Sequence, residues 1–111
     1  MSFDVNSRIK AMIEVAANQQ KLMLESATNQ LKFNLEGISN QQRIFIETNS
    51  SMFKTVNPEI NSAIEKAKTD LLQINKNVEN EMLKTIENAK DNIIQIIENL
   101  KNNLLNTLSS S

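Results

Sequence analysis

Residues 12–55 read MIEVAANQQKL (12–22), MLESATNQLKF (23–33), NLEGISNQQRI (34–44) and FIETNSSMFKT (45–55). Set one beneath another, the blocks carry Glu14, Glu25, Glu36 and Glu47 at the third position. Lys21, Lys32, Arg43 and Lys54 occupy the tenth, with Lys10 one step earlier. The frame runs from Met1 to the end of the chain, and beyond residue 55 it continues with a different consensus: AKTDLLQINKN (67–77), VENEMLKTIEN (78–88), AKDNIIQIIEN (89–99) and LKNNLLNTLSS (100–110). There the first position is Val56, Ala67, Val78, Ala89 and Leu100, and the fifth is Ile60, Leu71, Met82, Ile93 and Leu104. Internal self-similarity at a fixed period is the primary organising fact of this chain.

Eleven residues in three turns is about 3.67 per turn, close to a relaxed α-helix. Residues eleven apart then stack in lines nearly parallel to the axis. Positions one, five and nine make the main apolar stripe, joined in the first half by position two as Ile13, Leu24, Leu35 and Ile46. Positions three, seven and ten are expected to form the wet face. On that face Lys10–Glu14, Lys21–Glu25, Lys32–Glu36 and Arg43–Glu47 fall at i,i+4, each pair contributing about 0.2–0.5 kcal/mol, less in this Lys-before-Glu order.

The halves differ at the remaining positions. In the first, the eleventh is Leu22, Phe33 and Ile44, a second apolar line roughly 100° from the main stripe. In the second half that column is polar (Lys66, Asn77, Asn88, Asn99). The sixth and eighth become apolar instead, as Leu72, Leu83, Ile94, Leu105 and Ile74, Ile96. The second helix therefore presents one broad apolar face. The first presents two lines, which predicts contact with more than one neighbour.

The break is expected at Asn57-Pro58-Glu59: an N-cap, a proline at the first helical position and an acid in the first turn. The resulting fold is all-α, a single helical domain over 1–111: helix one from about 4 to 54, a turn at about 55–57, helix two from about 58 to 108 and a frayed serine tail at 109–111. Each helix would be roughly 75 Å long. Gly37 costs about 1 kcal/mol against Ala without shifting the register. An antiparallel hairpin is the first expectation. Because the repeat keeps phase across Pro58, a single kinked rod is the alternative.

Composition narrows the chemistry. With one Gly and one Pro in 111 residues, the chain lacks the punctuation of strands and tight turns. There is no Cys and no His, so thiolate chemistry, zinc–sulfur sites and the commonest general base are absent. Successive glutamates of the third column lie about 16 Å apart on one helix, too far to share a proton or an ion, and are read as solvated charge. Ser7, Ser26 and Ser39 have no base to activate them and are read as caps and face residues. Met12, Met23, Met52 and Met82 sit on the apolar lines as core fillers. The amide pairs Asn18/Gln19, Asn29/Gln30 and Asn40/Gln41 are read as an uncharged wet face, or as lateral amide bonding between neighbouring helices. The expectation is a protein with no enzymatic activity, cofactor, metal or small-molecule substrate.

Net charge is −1 with the lysines spread singly, which argues against nucleic acid as a partner. The opening Met1 to Lys10 has no apolar core of the signal-peptide kind, and no apolar run approaches the roughly 20 residues needed to span a bilayer. The expected location is the cytoplasm or an assembly made there, with no secretion by a signal peptide and no transmembrane helix.

Two helices with a stripe each enclose little core, so exposed apolar lines imply a partner. The first reading is the chain itself, packed as a helical bundle or coiled-coil homo-oligomer, since sustained eleven-residue periodicity is the pattern of nearly straight or slightly right-handed coiled coils. The interaction residues are then Leu22, Phe33 and Ile44 on helix one and Ile60, Leu71, Met82, Ile93 and Leu104 on helix two. The alternative is a lipid or granule surface. The eleven-residue amphipathic repeats resemble those of synucleins, perilipins and exchangeable apolipoproteins. A Cys-free, Asn/Gln/Leu-rich helical chain of this size is also similar to phasins, which coat polyester granules. That resemblance covers most of the chain as pattern and composition, carries over no functional residue, and implies an adsorbing coat. Lys68, Lys90 and Lys101 beside the second helix's apolar face would snorkel at such a surface.

Overall fold

The computed structural model describes residues 2–110, with side chains from Asp4 onward. It contains α1 (Ser2–Val56), one 3-10 turn (Pro58–Ile60) and α2 (Asn61–Ser110). Asp4 in the first turn of α1 and Lys54 in its last carry the charges that oppose the helix dipole. α1 stops where a residue before proline is driven out of the helical region. Asn57 sits at φ −143° and ψ 88°. Its N–H still reaches Phe53 O at 3.0 Å, and its carbonyl accepts the Ile60 N–H at 3.3 Å. Its Oδ1 accepts the Glu59 N–H at 3.3 Å, and Pro58 fills a position whose N–H would have no partner. The Asn61 N–H donates to Pro58 O and starts α2. The Ser109 and Ser110 hydroxyls donate to Leu105 O at 3.0 Å and Asn106 O at 2.9 Å. That end is therefore helical through Ser110 rather than frayed from 109, and Ser111 lies outside the described residues.

The chain divides into two compact units, residues 31–85 around the turn and residues 1–30 with 86–111. In the turn unit, Lys54 of α1 pairs with Glu65 of α2 beside the bend, and Ser39 bonds Glu79 farther from it. α2 thus runs back along α1 as a helical hairpin, and the kinked single rod is overturned. In the terminal unit, Lys21 of α1 pairs with Glu98 of α2.

The least exposed residues locate the seam of each unit. On α1 they are Ile13, Ala17, Lys21, Leu24 and Thr28 in the terminal unit, and Leu35, Ser39, Ile46, Ser50 and Lys54 in the turn unit. These, with half-buried Lys32, are second, sixth and tenth positions; Glu47 and Asn49 near the turn are the half-buried residues of α1 outside those columns. On α2 they are chiefly second, sixth and ninth positions: Ile64, Lys68, Leu72, Asn75, Glu79 and Leu83 in the turn unit, Ile86, Lys90, Ile94, Ile97, Lys101 and Leu105 in the terminal unit.

Two expectations are corrected here. The tenth column of α1 is not uniformly wet, since Lys21, Lys32 and Lys54 are half-buried. Lys21 turns to Glu98 across the seam, and of the expected i,i+4 pairs Arg43–Glu47 forms, at 3.2 Å. The first-, fifth- and ninth-position stripe of α1 is not the seam either: Met12, Met23, Leu31, Ile38, Phe45 and Phe53 are exposed. The reason is volume. The sixth column of α1 is Ala17, Thr28, Ser39 and Ser50, small enough for two backbones to approach, while that of α2 is the large aliphatic line Leu72, Leu83, Ile94 and Leu105. Large against small interdigitates; large against large would hold the helices apart. The buried hydroxyls do not oppose this. Thr28 donates to Leu24 O at 2.8 Å and Ser50 to Ile46 O at 2.7 Å, each within its own helix.

Candidate interaction surface

Ala17 and Leu35 are the buried apolar residues among those described, and each keeps a small exposure. One buried leucine stabilises by about 1.5–3 kcal/mol, and long amphipathic helices draw most of their stability from packing rather than propensity. The apolar surface lies elsewhere. Leu22, Phe33 and Ile44 on α1, Ile60 in the 3-10 turn, and Leu71, Met82, Ile93 and Leu104 on α2 are all exposed.

Of these eight, Leu71, Met82 and Leu104 line grooves between the two helices of their own unit, and Leu22, Phe33 and Ile44 do not. In the turn unit, Ile38, Gln42, Phe45 and Ile46 of α1 line one open groove with Leu71, Ile74, Asn75 and Val78 of α2. Met82 lies at its continuation beside Leu35 and Ile38. In the terminal unit, Ile9, Met12, Ile13, Ala16 and Gln20 of α1 line a comparable groove with Ile97, Leu100, Lys101 and Leu104 of α2. The grooves are built mostly from first, fifth and ninth positions of both helices. Those three columns contain no Asp, Glu, Lys or Arg anywhere in the chain. Leu22, Phe33 and Ile44 line neither groove and stand as a separate line on α1.

Sequence reasoning assigned Met12, Ile38 and Phe45 to the intrachain stripe and so missed them as groove residues. The signal that would have found them is the absence of charge, because a seam between two exposed helices tolerates long charged side chains along its edges. Lys68, Lys90 and Lys101 show this. They are half-buried second-position residues of α2, paired with Glu65 at 4.0 Å, Glu87 at 3.0 Å and Glu98 at 2.9 Å. All three are held in ion pairs along the seam, and Lys101 also borders the terminal-unit groove.

The turn unit also holds a polar bridge that the sequence reading missed. Asn75 Nδ2 donates to Ser39 O at 3.1 Å and Ser39 Oγ at 3.3 Å. The Ser39 hydroxyl in turn donates to Glu79 Oε2, and Lys76 Nζ lies 3.6 Å from Glu79 Oε1. The Ser39 bond, assisted by Lys76, holds the Glu79 carboxyl below its ordinary range against the opposing effect of burial. Ser39 is not the simple face residue expected. Both α2 partners break their columns: Asn75 stands among Ile64, Ile86, Ile97 and Leu108, and Glu79 among Lys68, Lys90 and Lys101. Column-breaking residues were the available clue.

No helix among the described residues is long and apolar enough to cross a membrane. Compared with family models, with curated proteins and with solved structures, the chain gives no match.

Proposed function

We propose that this is a non-catalytic structural protein that assembles with copies of itself, through its amphipathic helices, as a helical bundle or coiled coil on the eleven-residue repeat. The observation that carries the reading is the pair of mainly apolar grooves, built chiefly from three columns without an ionised residue and each left open by the unit that forms it. An apolar surface of this kind is covered in a stable soluble state, and a second helical surface of the same repeat is the cover whose periodicity matches. Leu22, Phe33 and Ile44 supply a further contact line on α1, and Ile60 of the 3-10 turn with Leu71, Met82, Ile93 and Leu104 of α2 supply the other. No cofactor, nucleic acid or small-molecule substrate enters this role.

The alternative is a phasin- or perilipin-like coat on a lipid or polyester surface, favoured by the exposure of the Leu22, Phe33 and Ile44 line. It is weakened by the ion pairs that occupy Lys68, Lys90 and Lys101, the lysines that would have met the surface. Light scattering and far-ultraviolet circular dichroism, with and without lipid vesicles, separate the two. The expected result is a helical oligomer at micromolar concentration without lipid. A monodisperse, random-coil monomer that turns helical on vesicles would transfer the function to the coat.

A further inference from the structure

We infer that the apolar groove is closed by a second copy of the chain, groove against groove, so that two helix pairs share one four-helix core, and that the Leu22–Phe33–Ile44 line lies outside this core. This rests on the self-assembly reading and names its partner and its face.

Size is the first argument. In the turn unit α1 contributes residues 31–56, about 40 Å of helix at 1.5 Å per residue, and two helices side by side are about 20 Å wide. That face of about 800 Å² is what one partner contributes to a standard stable interface. The grooved side of a helix pair therefore offers a full interface, whereas one line of three side chains on one helix does not.

Charge is the second. Groove-to-groove packing buries chiefly the first, fifth and ninth columns, the three that lack any ionised residue in both helices, and Lys101 at the edge of the terminal-unit groove is already paired with Glu98 at 2.9 Å. The third argument is the amides. Gln41 and Gln42 stand in the turn-unit groove and Gln20 in the terminal-unit groove. Against hydrocarbon such groups lose water without gaining a partner. Against a second helix pair they meet other amides, and a few buried amides among aliphatic residues are the established means of setting register and oligomer number.

The chain has no Trp and no Tyr, so a single introduced tryptophan reports its own surroundings. Leu71→Trp places it in the groove and Phe33→Trp on the outer line. At a concentration where the protein is assembled, the tryptophan at 71 is expected to emit to the blue and resist iodide quenching, and to lose both on dilution. The one at 33 is expected to stay accessible at concentrations where the mass is that of two chains, because the outer line meets no partner in that state. In parallel, Leu71→Lys with Val78→Lys is expected to reduce the mass by sedimentation equilibrium to that of one chain, while Phe33→Lys with Ile44→Lys keeps at least a dimer.

Equal accessibility at 71 and 33, or wild-type mass in the groove double variant, would overturn the proposal while leaving self-assembly standing. Shielding at 71 only after phosphatidylcholine vesicles are added would overturn it in favour of a surface coat. A monomeric wild type would remove the self-assembly reading itself, and the proposal with it. If the groove double variant does not fold, the tryptophan pair decides alone.

Discussion

The Ser39 hydroxyl of α1 donates to the carboxylate of Glu79 on α2, joining residues forty apart in sequence. The same hydroxyl accepts from Asn75, so one buried serine ties two residues of the facing helix into a fixed alignment. A one-turn slip of α2 along α1 would leave a carboxylate and an amide half-buried without partners, which opposes alternative registers even where the aliphatic contacts would tolerate them.

Removing that donor is therefore costly. Ser39→Ala is expected to destabilise by about 1.5–3 kcal/mol, the range for a hydrogen bond to a charged group. Ser50→Ala, which removes only a bond to Ile46 O within the same helix, should change stability by about 0.5 kcal/mol or less. Urea midpoints of the two variants check this; equal losses would mean that the bridge contributes nothing beyond helix packing.

The bridge also sets a direction for acid sensitivity. Glu79 is held below its ordinary value in the folded chain, so its ionised form favours folding. That contribution is fully present above the unfolded-state glutamate value. It is lost as pH falls through that value and on through the depressed folded one. Glu79→Gln should be less stable than wild type at neutral pH and approach it on acidification. A stability difference that stays constant from neutral to acid pH would contradict the assignment.

Faces are separable by paired substitutions. Leu24→Ser with Leu35→Ser empties the seam, Leu35 being 7% exposed, and should lose helicity and oligomer together; a buried Leu→Ala change alone costs about 2–5 kcal/mol. Phe33→Ser with Ile44→Ser alters residues 74% and 54% exposed and should keep most of the helicity while lowering the size of any assembly built beyond the groove contact. Circular dichroism and light scattering on the two variants read the difference. Identical behaviour would mean that seam and outer line are one surface.

Charge changes are expected to be mild. Glu98→Gln breaks the pair with Lys21 across the terminal unit and should cost about 0.2–1 kcal/mol, whereas Glu25→Gln should cost no more than about 0.5 kcal/mol. A larger loss at Glu25, by thermal or urea midpoint, would place an interface on the third column.

Gly37 tests the outer face from the other side. A Cβ there would meet nothing within 4 Å, and its backbone is ordinary helix. Gly37→Ala should raise stability by about 1 kcal/mol. A fall in stability or in assembled mass would show that another chain approaches α1 closely at this point.

Much of this architecture was legible in the sequence because it is local. Helix type follows from the eleven-residue period, the near absence of Gly and Pro, and propensity, all of which act within a few turns. The break follows from Asn57 and Pro58, whose backbone limits owe nothing to distant residues. The hydrophobic lines were legible too, but not their use. Columns of an eleven-residue repeat lie only about 33° apart around the helix, so several neighbouring columns offer almost equal apolar content to a partner. Which of them becomes the seam depends on volumes and charges from both helices at once. Small Ala17, Thr28, Ser39 and Ser50 admit α2 where the larger first column of Met12, Met23, Asn34 and Phe45 would not, and Lys21 and Lys54 reach Glu98 and Glu65 of α2. The Ser39–Asn75–Glu79 bridge is of the same kind, a cost-free burial only when all three are brought together. Periodicity determined that this chain is two amphipathic helices; tertiary structure decided which stripe closes the seam and which is left open, because packing compares pairs of surfaces and a repeat describes only one.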